Sequence, residues 1–124
     1  MIVAGIGCRR ACPAERIVAL VTRAAAAAGV RIDALAAPAF KDDESGLRQA
    51  ALALGLPLHF VAAEAMAGAQ DRCVTRSEAA LRATGFASVA EGAALAIAGL
   101  PLLLPRIGEG EATCAVAGST ETQT

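Results

Sequence analysis

The segment Ile2-Val3-Ala4-Gly5-Ile6-Gly7-Cys8-Arg9-Arg10-Ala11-Cys12-Pro13 constrains the fold more than any other part of the chain. Ile2 to Ile6 is short, apolar and unalternated, the pattern of a strand covered on both faces in a parallel sheet. Gly5 and Gly7 permit positive φ and let another group approach the backbone closely. Pro13 suits the first position of a helix, where its missing N–H is no loss. Cys12, just before it, is not a favoured N-cap residue, so the amide donors of this helix start have no evident side-chain acceptor. With Arg9 and Arg10 beside them, those donors make a seat for a carboxylate or a phosphate.

Strand and helix signals alternate along the remainder. From Pro13 to Ala28, the residues Ile17, Leu20, Val21, Ala24, Ala25 and Ala28 share one helical face, and Gly29 closes the helix. Ile32 to Ala37 reads as a second strand ended by Pro38. The polar loop Ala39 to Gly46 leads into a helix from Ser45 to Leu54, stopped by Gly55 and Pro57. Leu58 to Ala62 is a third strand, Ala63 to Ala69 a short helix, and Gln70 to Val74 a connection. Thr75 with Glu78 and Ser88 with Glu91 have the spacing of capping boxes, predicting two more helices that end at Gly85 and Gly99. Leu102 to Ile107 and Ala112 to Ala117 form two strands joined through Gly108-Glu109-Gly110, an antiparallel hairpin signal.

This order predicts an α/β fold: a three-layer α/β/α sandwich, with a mostly parallel sheet of about five strands and a C-terminal antiparallel hairpin. Residues 1–118 are expected to form a single domain, with a disordered polar tail at 119–124. Ligands of such sheets gather beyond the carboxyl ends of the strands. The Gly5–Arg10 turn and the Lys41–Glu44 loop both leave from such ends.

Composition removes several classes of function. Hydrophobic residues make up 56% of the 124, yet no run reaches the roughly eighteen apolar residues of a membrane span. Met1 leads straight into a strand, so no secretory leader is read and a cytoplasmic location is expected. A net charge of −1 and an aromatic content of 2% speak against a nucleic-acid surface. Cys8, Cys12, Cys73 and Cys114 lack the second close pair or neighbouring histidine of a zinc site. Reduced thiols, no metal and no cofactor are expected.

Individual motifs have competing readings. Gly5-Ile6-Gly7 opens like a dinucleotide fingerprint, but Arg10 stands where its last glycine belongs, and Asp33 lies at the start of the second strand instead of its end. No Gly-Lys-Ser/Thr follows, which excludes a phosphate loop of the NTPase type. Cys8 has the surroundings of a lowered thiol pKa, or is simply a small buried residue in a tight turn. His59, the only histidine, falls inside an expected strand and offers Cys8 little as a partner. Glu91 is either the capping partner of Ser88 or a functional group facing the same crevice. Lys41, Asp42, Asp43 and Glu44 are either a solvated turn or part of the site. One of the paired arginines can hold a carboxylate bidentately while the other is solvated.

Four segments in the same order resemble one family: Gly5 to Arg10, Phe40 to Leu47, Gly85 to Ala94, and Ala112 to Ala117. Over essentially its whole length the chain is similar to the CobE family of cobalamin-biosynthesis proteins, itself similar to the C-terminal domain of CbiG. The resemblance implies a role in building the corrin ring. CbiG-type proteins are associated with opening the lactone of a cobalt-precorrin and releasing acetaldehyde. They carry additional N-terminal sequence that this chain does not match, so that hydrolase chemistry is not carried over. Ala11 stands where the family commonly has Gly, and Gly92 where it commonly has Ala.

The ligand implied by the resemblance is a precorrin or other corrinoid intermediate, a flat macrocycle fringed with acetate and propionate groups. Arg9, Arg10, Lys41 and the helix start at Pro13 would hold its carboxylates, over an apolar surface near Gly92 and Ala93. The expected ligand-binding set is Gly5, Gly7, Cys8, Arg9 and Arg10 on the first turn, Lys41 and Glu44 on the second loop, and Ser88, Glu91 and Gly92 at the last helix. Two other readings stand beside it. One is an enzyme modifying such an intermediate, with Cys8 or Glu91 as the acid–base group. The other is a non-catalytic scaffold that docks onto other enzymes of the pathway.

Overall fold

In the computed structural model, which describes residues 1–108 and 111–119, the chain runs β1 (Ile2–Cys8), α1 (Ala14–Ala28), β2 (Ala34–Pro38), α2 (Ser45–Leu54), β3 (Leu58–Val61), α3 (Ala63–Ala69), α4 (Glu78–Thr84), α5 (Val89–Ala98), β4 (Leu102–Ile107) and β5 (Ala112–Gly118). These are the expected elements, with ends displaced by a few residues. The expected hairpin tip at Glu109 and Gly110 lies outside the described residues, as does the expected tail beyond Ser119.

The strands lie in the order β3-β2-β1-β5-β4. β1 pairs with β2, and β2 with β3, in parallel; β5 pairs antiparallel with both β1 and β4. The sheet is therefore mixed, which corrects the expectation of a mostly parallel one. The mixture arises because β5 pairs antiparallel along β1, and Pro105 suits β4 to the edge beyond it. Proline has no N–H for a second neighbour. β5 lies between β4 and β1, pairing along the whole of β1 from Ile2↔Gly118 to Cys8↔Ala112.

Alternate strand residues point to opposite faces, and helices cover both. Ile2, Ala4 and Ile6 pack with Ile17, Leu20, Val21 and Ala24 of α1 and with Leu47 and Ala50 of α2. Val3, Ala34 and Ala36 pack with Met66 of α3 and Ala93 of α5. A Cβ at Gly5 would run into the carbonyl oxygen of Ala90 and the amide of Ala94. Small residues on both elements thus bring α5 directly onto β1, and this contact fixes where the end of β1 emerges.

Three helix starts differ from expectation. α1 begins at Ala14, and Pro13 precedes it as an extended N-cap with φ −63° and ψ 144°. α4 is capped by Ser77, whose Oγ accepts from the Ala80 N–H at 3.1 Å, and not by Thr75 with Glu78. At α5 the Ser88 side chain caps no helix amide. Its Oγ donates to Glu91 Oε1 at 3.3 Å, and Gln70 holds its backbone through Oε1 and Nε2, each at 3.0 Å. Local capping gives way because the Glu91 carboxylate is committed to more distant partners.

Candidate functional site

Two loops leaving the carboxyl ends of β1 and β2 are locked to each other before they meet anything else. Ala11 sits at φ +62°, a left-handed conformation that favours glycine. Its N–H donates to Glu44 Oε2 at 2.8 Å. Glu44 occupies the N-cap position of α2, yet its side chain caps nothing on that helix. It is only 8% exposed and reaches instead into the β1–α1 turn. A Cβ at Gly46 would overlap the Cys12 carbonyl oxygen, so the start of α2 also rests on this turn. The Arg9 N–H donates to the Glu111 carbonyl at 2.8 Å, tying the same turn to the start of β5.

Beside this junction opens a cavity of about 590 Å³, a volume typical of small-molecule sites. Arg9, Arg10, Lys41 and Arg106 line it, with the carboxylates of Asp43, Glu44 and Glu111. Among the described residues none of the four cations lies within ion-pair distance of a carboxylate; Glu111 pairs instead with Arg16 of α1, at 3.9 Å. The stretch through α4 lines it with small side chains, Ala79, Ala80, Ala83, Ala87 and Val89 together with Ser77 and Thr84. Phe40 also lines the cavity and is 47% exposed. Its ring stacks on that of Phe86, with centroids 6.5 Å apart and planes 10° from parallel.

The expected site residues divide into two groups. Gly7, Cys8, Arg9, Arg10, Lys41 and Glu44 come together around the cavity. Gly5, Ser88, Glu91 and Gly92 do not line it. Gly5 faces α5, and Gly92 lies under the Gln70 amide and Met66. Ala93, expected beside it as apolar surface, is buried in the sheet–helix core. Neither Pro13 nor Ala14 reaches the cavity, so the start of α1 supplies no donor there.

Glu91 is wholly buried. Its Oε1 accepts from the N–H groups of Val74 and Thr75, at 2.8 and 3.0 Å, and its Oε2 from that of Arg106 at 3.0 Å. Burial alone would raise its pKa, but these amides and the Thr75 hydroxyl outweigh it and hold the carboxyl below its ordinary value. Glu91 is thus a clasp. It ties the segment entering α4 to the backbone of Arg106, one of the cavity's cations.

For Cys8 the structure favours the second of the two readings, a small, partly buried residue at a tight turn. Burial pushes its thiol up to about 11, and the nearby Lys41 charge only partly opposes this. A thiol shifted in this direction is less nucleophilic than an ordinary cysteine, which does not favour a reactive thiolate here. Asp33 accepts from the Ile2 N–H at 2.7 Å, at the opposite end of β1 from the turn. Among the described residues no cluster of His, Cys, Asp or Glu suits a metal ion, and no helix is long and apolar enough to cross a membrane.

Sequence reasoning missed Phe40, Arg106 and the alanine face of α4. Arg106 had no signal, because it reaches the cavity only through the placement of β4 on the far side of β5. Ala79, Ala80 and Ala83 carried a faint one, since α4 has small residues where a core-facing helix would carry large ones, and none of its residues is buried. A second cavity, of about 670 Å³, lies against α1. Its arginines, Arg16 and Arg23, are matched by Glu15 and Glu111, which leaves it without an excess of positive charge.

Comparison with known proteins agrees with this architecture. The family described as cobalamin synthesis G C-terminus matches residues 2–117. Protein CobE of Sinorhizobium sp is 38% identical over 122 residues, covering 94% of this chain and 79% of that protein. The crystal structure of a CobE from the cobalamin (vitamin B12) biosynthetic pathway superposes with a TM-score of 0.88 at 41% identity, covering 94% of this chain and 89% of that one. The cobalamin biosynthesis protein chiG of Agrobacterium tumefaciens str. C58 gives 0.78, also at 41% identity, covering 98% of this chain and all of the other. With the match spanning nearly every strand and helix, the chain belongs to the cobalamin synthesis G C-terminus family, whose members serve cobalamin biosynthesis.

Proposed function

We propose that the protein binds an acidic macrocyclic intermediate of cobalamin synthesis, a precorrin, in the cavity beside the β1–α1 turn. The observation that carries this reading is the set of cations, Arg9, Arg10, Lys41 and Arg106, around one concave site, none paired with a carboxylate among the described residues. Guanidinium groups fit carboxylates bidentately, and several such contacts suit a ring bearing acetate and propionate arms. The alanine face of α4 is smooth enough to lie against the flat body of the ring. Binding here amounts to sequestering or presenting a labile intermediate. The upward-shifted Cys8 thiol and the fully engaged Glu91 carboxylate give an acid–base reaction no support.

The test is a titration of the purified protein with precorrin intermediates, followed by absorbance. Saturable one-site binding is expected, and Arg9→Ala with Arg10→Ala should weaken it at least tenfold, about 1.4 kcal/mol. No spectral change across the series would overturn the reading and favour a scaffold that docks onto other enzymes of the pathway. Turnover abolished by Cys8→Ser would restore the enzyme reading.

A further inference from the structure

We infer that Phe40 is a specificity-determining residue, whose ring stacks on the face of the bound macrocycle and selects a flat conjugated polycarboxylate over an open-chain one. The inference rests on the binding reading above and adds a contact to it. The chain has three phenylalanines and no Trp or Tyr. Phe60 is engaged by the Arg48 guanidinium, 5.1 Å from its centroid. Phe86 is half-buried and packs against the core on the α5 side of the sheet. Only Phe40 combines a large exposed aromatic surface with a place in the cavity lining.

Its position is built. Phe40 lies in a 3-10 turn, Ala39–Lys41, directly after β2, so its neighbour Lys41 lines the same cavity. Phe86, from the segment between α4 and α5, lies nearly parallel to it, with ring centroids 6.5 Å apart. Covering the exposed part of this ring would remove apolar area from water. A flat π-system would gain apolar burial and offset stacking against the exposed Phe40 ring. Its carboxylate arms would lie where Arg9, Arg10, Lys41 and Arg106 line the cavity. A flexible polycarboxylate gains only the charge contacts. Charge complementarity therefore sets the sign of the ligand, and Phe40 sets its shape.

The experiment uses uroporphyrin as probe, a flat tetrapyrrole with acetate and propionate arms, titrated by visible absorbance into the full-length protein. Wild type should bind with a shifted absorption band. Phe40→Ala should weaken binding about tenfold. Phe40→Leu keeps apolar area but has no π face, so it should lose the band shift and bind a few-fold more weakly. Phe40→Tyr should restore both. Circular dichroism and thermal unfolding confirm that each variant is folded, as expected for an exposed loop position. If wild type binds while Phe40→Ala binds equally tightly with the same band shift, the stacking role is overturned and the binding reading stands. If wild type itself binds no tetrapyrrole, both fall.

Discussion

Ala11 and Glu91 carry strain and satisfaction in opposite ways. Ala11 holds φ +62° to aim its N–H at Glu44, and for an L-residue that conformation costs about 1–2 kcal/mol. Glycine removes this penalty but has more freedom to lose on folding. Ala11→Gly should therefore stabilise the protein by about 0.5–1 kcal/mol, read as a higher urea midpoint with an unchanged slope. Glu91 works the other way, because its carboxylate answers buried amides. Its folded pKa lies below the ordinary value of 4.5, so the unfolded chain binds the proton more tightly. The stability it contributes is present above pH 4.5 and is lost as pH falls through the lower, folded-state pKa. Glu91→Gln should cost about 2–3 kcal/mol at neutral pH and flatten that acid decline. Denaturation curves from pH 7 down to about pH 3 check both effects.

Helices α4 and α5 are neighbours in sequence and opposites in packing. α5 buries Ala90 through Leu95 and lies on β1, where Gly5 leaves room for its backbone. Gly5→Ala would force a Cβ into the Ala90 carbonyl and should cost about 3 kcal/mol or more, measured by chemical denaturation. α4 has no buried residue. It is held at its ends by the Glu91 clasp, by the Ser77 N–H on the Ala87 carbonyl at 2.8 Å, and by the Thr84 hydroxyl. Elements with few buried contacts open most readily. Amide exchange should be faster in α4 than in α5, and a bound tetrapyrrole should slow it in α4 selectively. Equal protection of the two helices without ligand would refute this picture of α4 as a loosely seated wall.

At the scale of the whole molecule, a mixed sheet covered by helices on both faces carries, beside the end of β1, a hollow lined among the described residues by four cations and three carboxylates. Ligand binding there should stabilise the fold by mass action, by about 2.7 kcal/mol at a ligand concentration a hundred times Kd. Salt should erode that gain, because screening weakens contacts between exposed charges. Thermal unfolding with and without uroporphyrin, at low and at high salt, tests this directly. A salt-independent rise in Tm would argue for apolar contact alone.

The sequence by itself determined the elements and pointed to part of the candidate site. Apolar β1, the glycine and proline punctuation, and the order of strands and helices are local signals, written within a few residues of where they act. Gly7, Cys8, Arg9, Arg10, Lys41 and Glu44 were placed beside the cavity for the same reason, since each lies at the end of β1 or in the loop that links β2 to α2. Only the tertiary structure decided that β5 inserts between β4 and β1, which made the sheet mixed and brought Arg106 to the cavity. It also turned Ser88 and Glu91 from a capping box into a long-range clasp, and moved the apolar lining from Gly92 and Ala93 to α4. Those outcomes depend on which elements compete for a buried carboxylate or a free strand edge, and that competition is settled in space, between residues far apart in the chain.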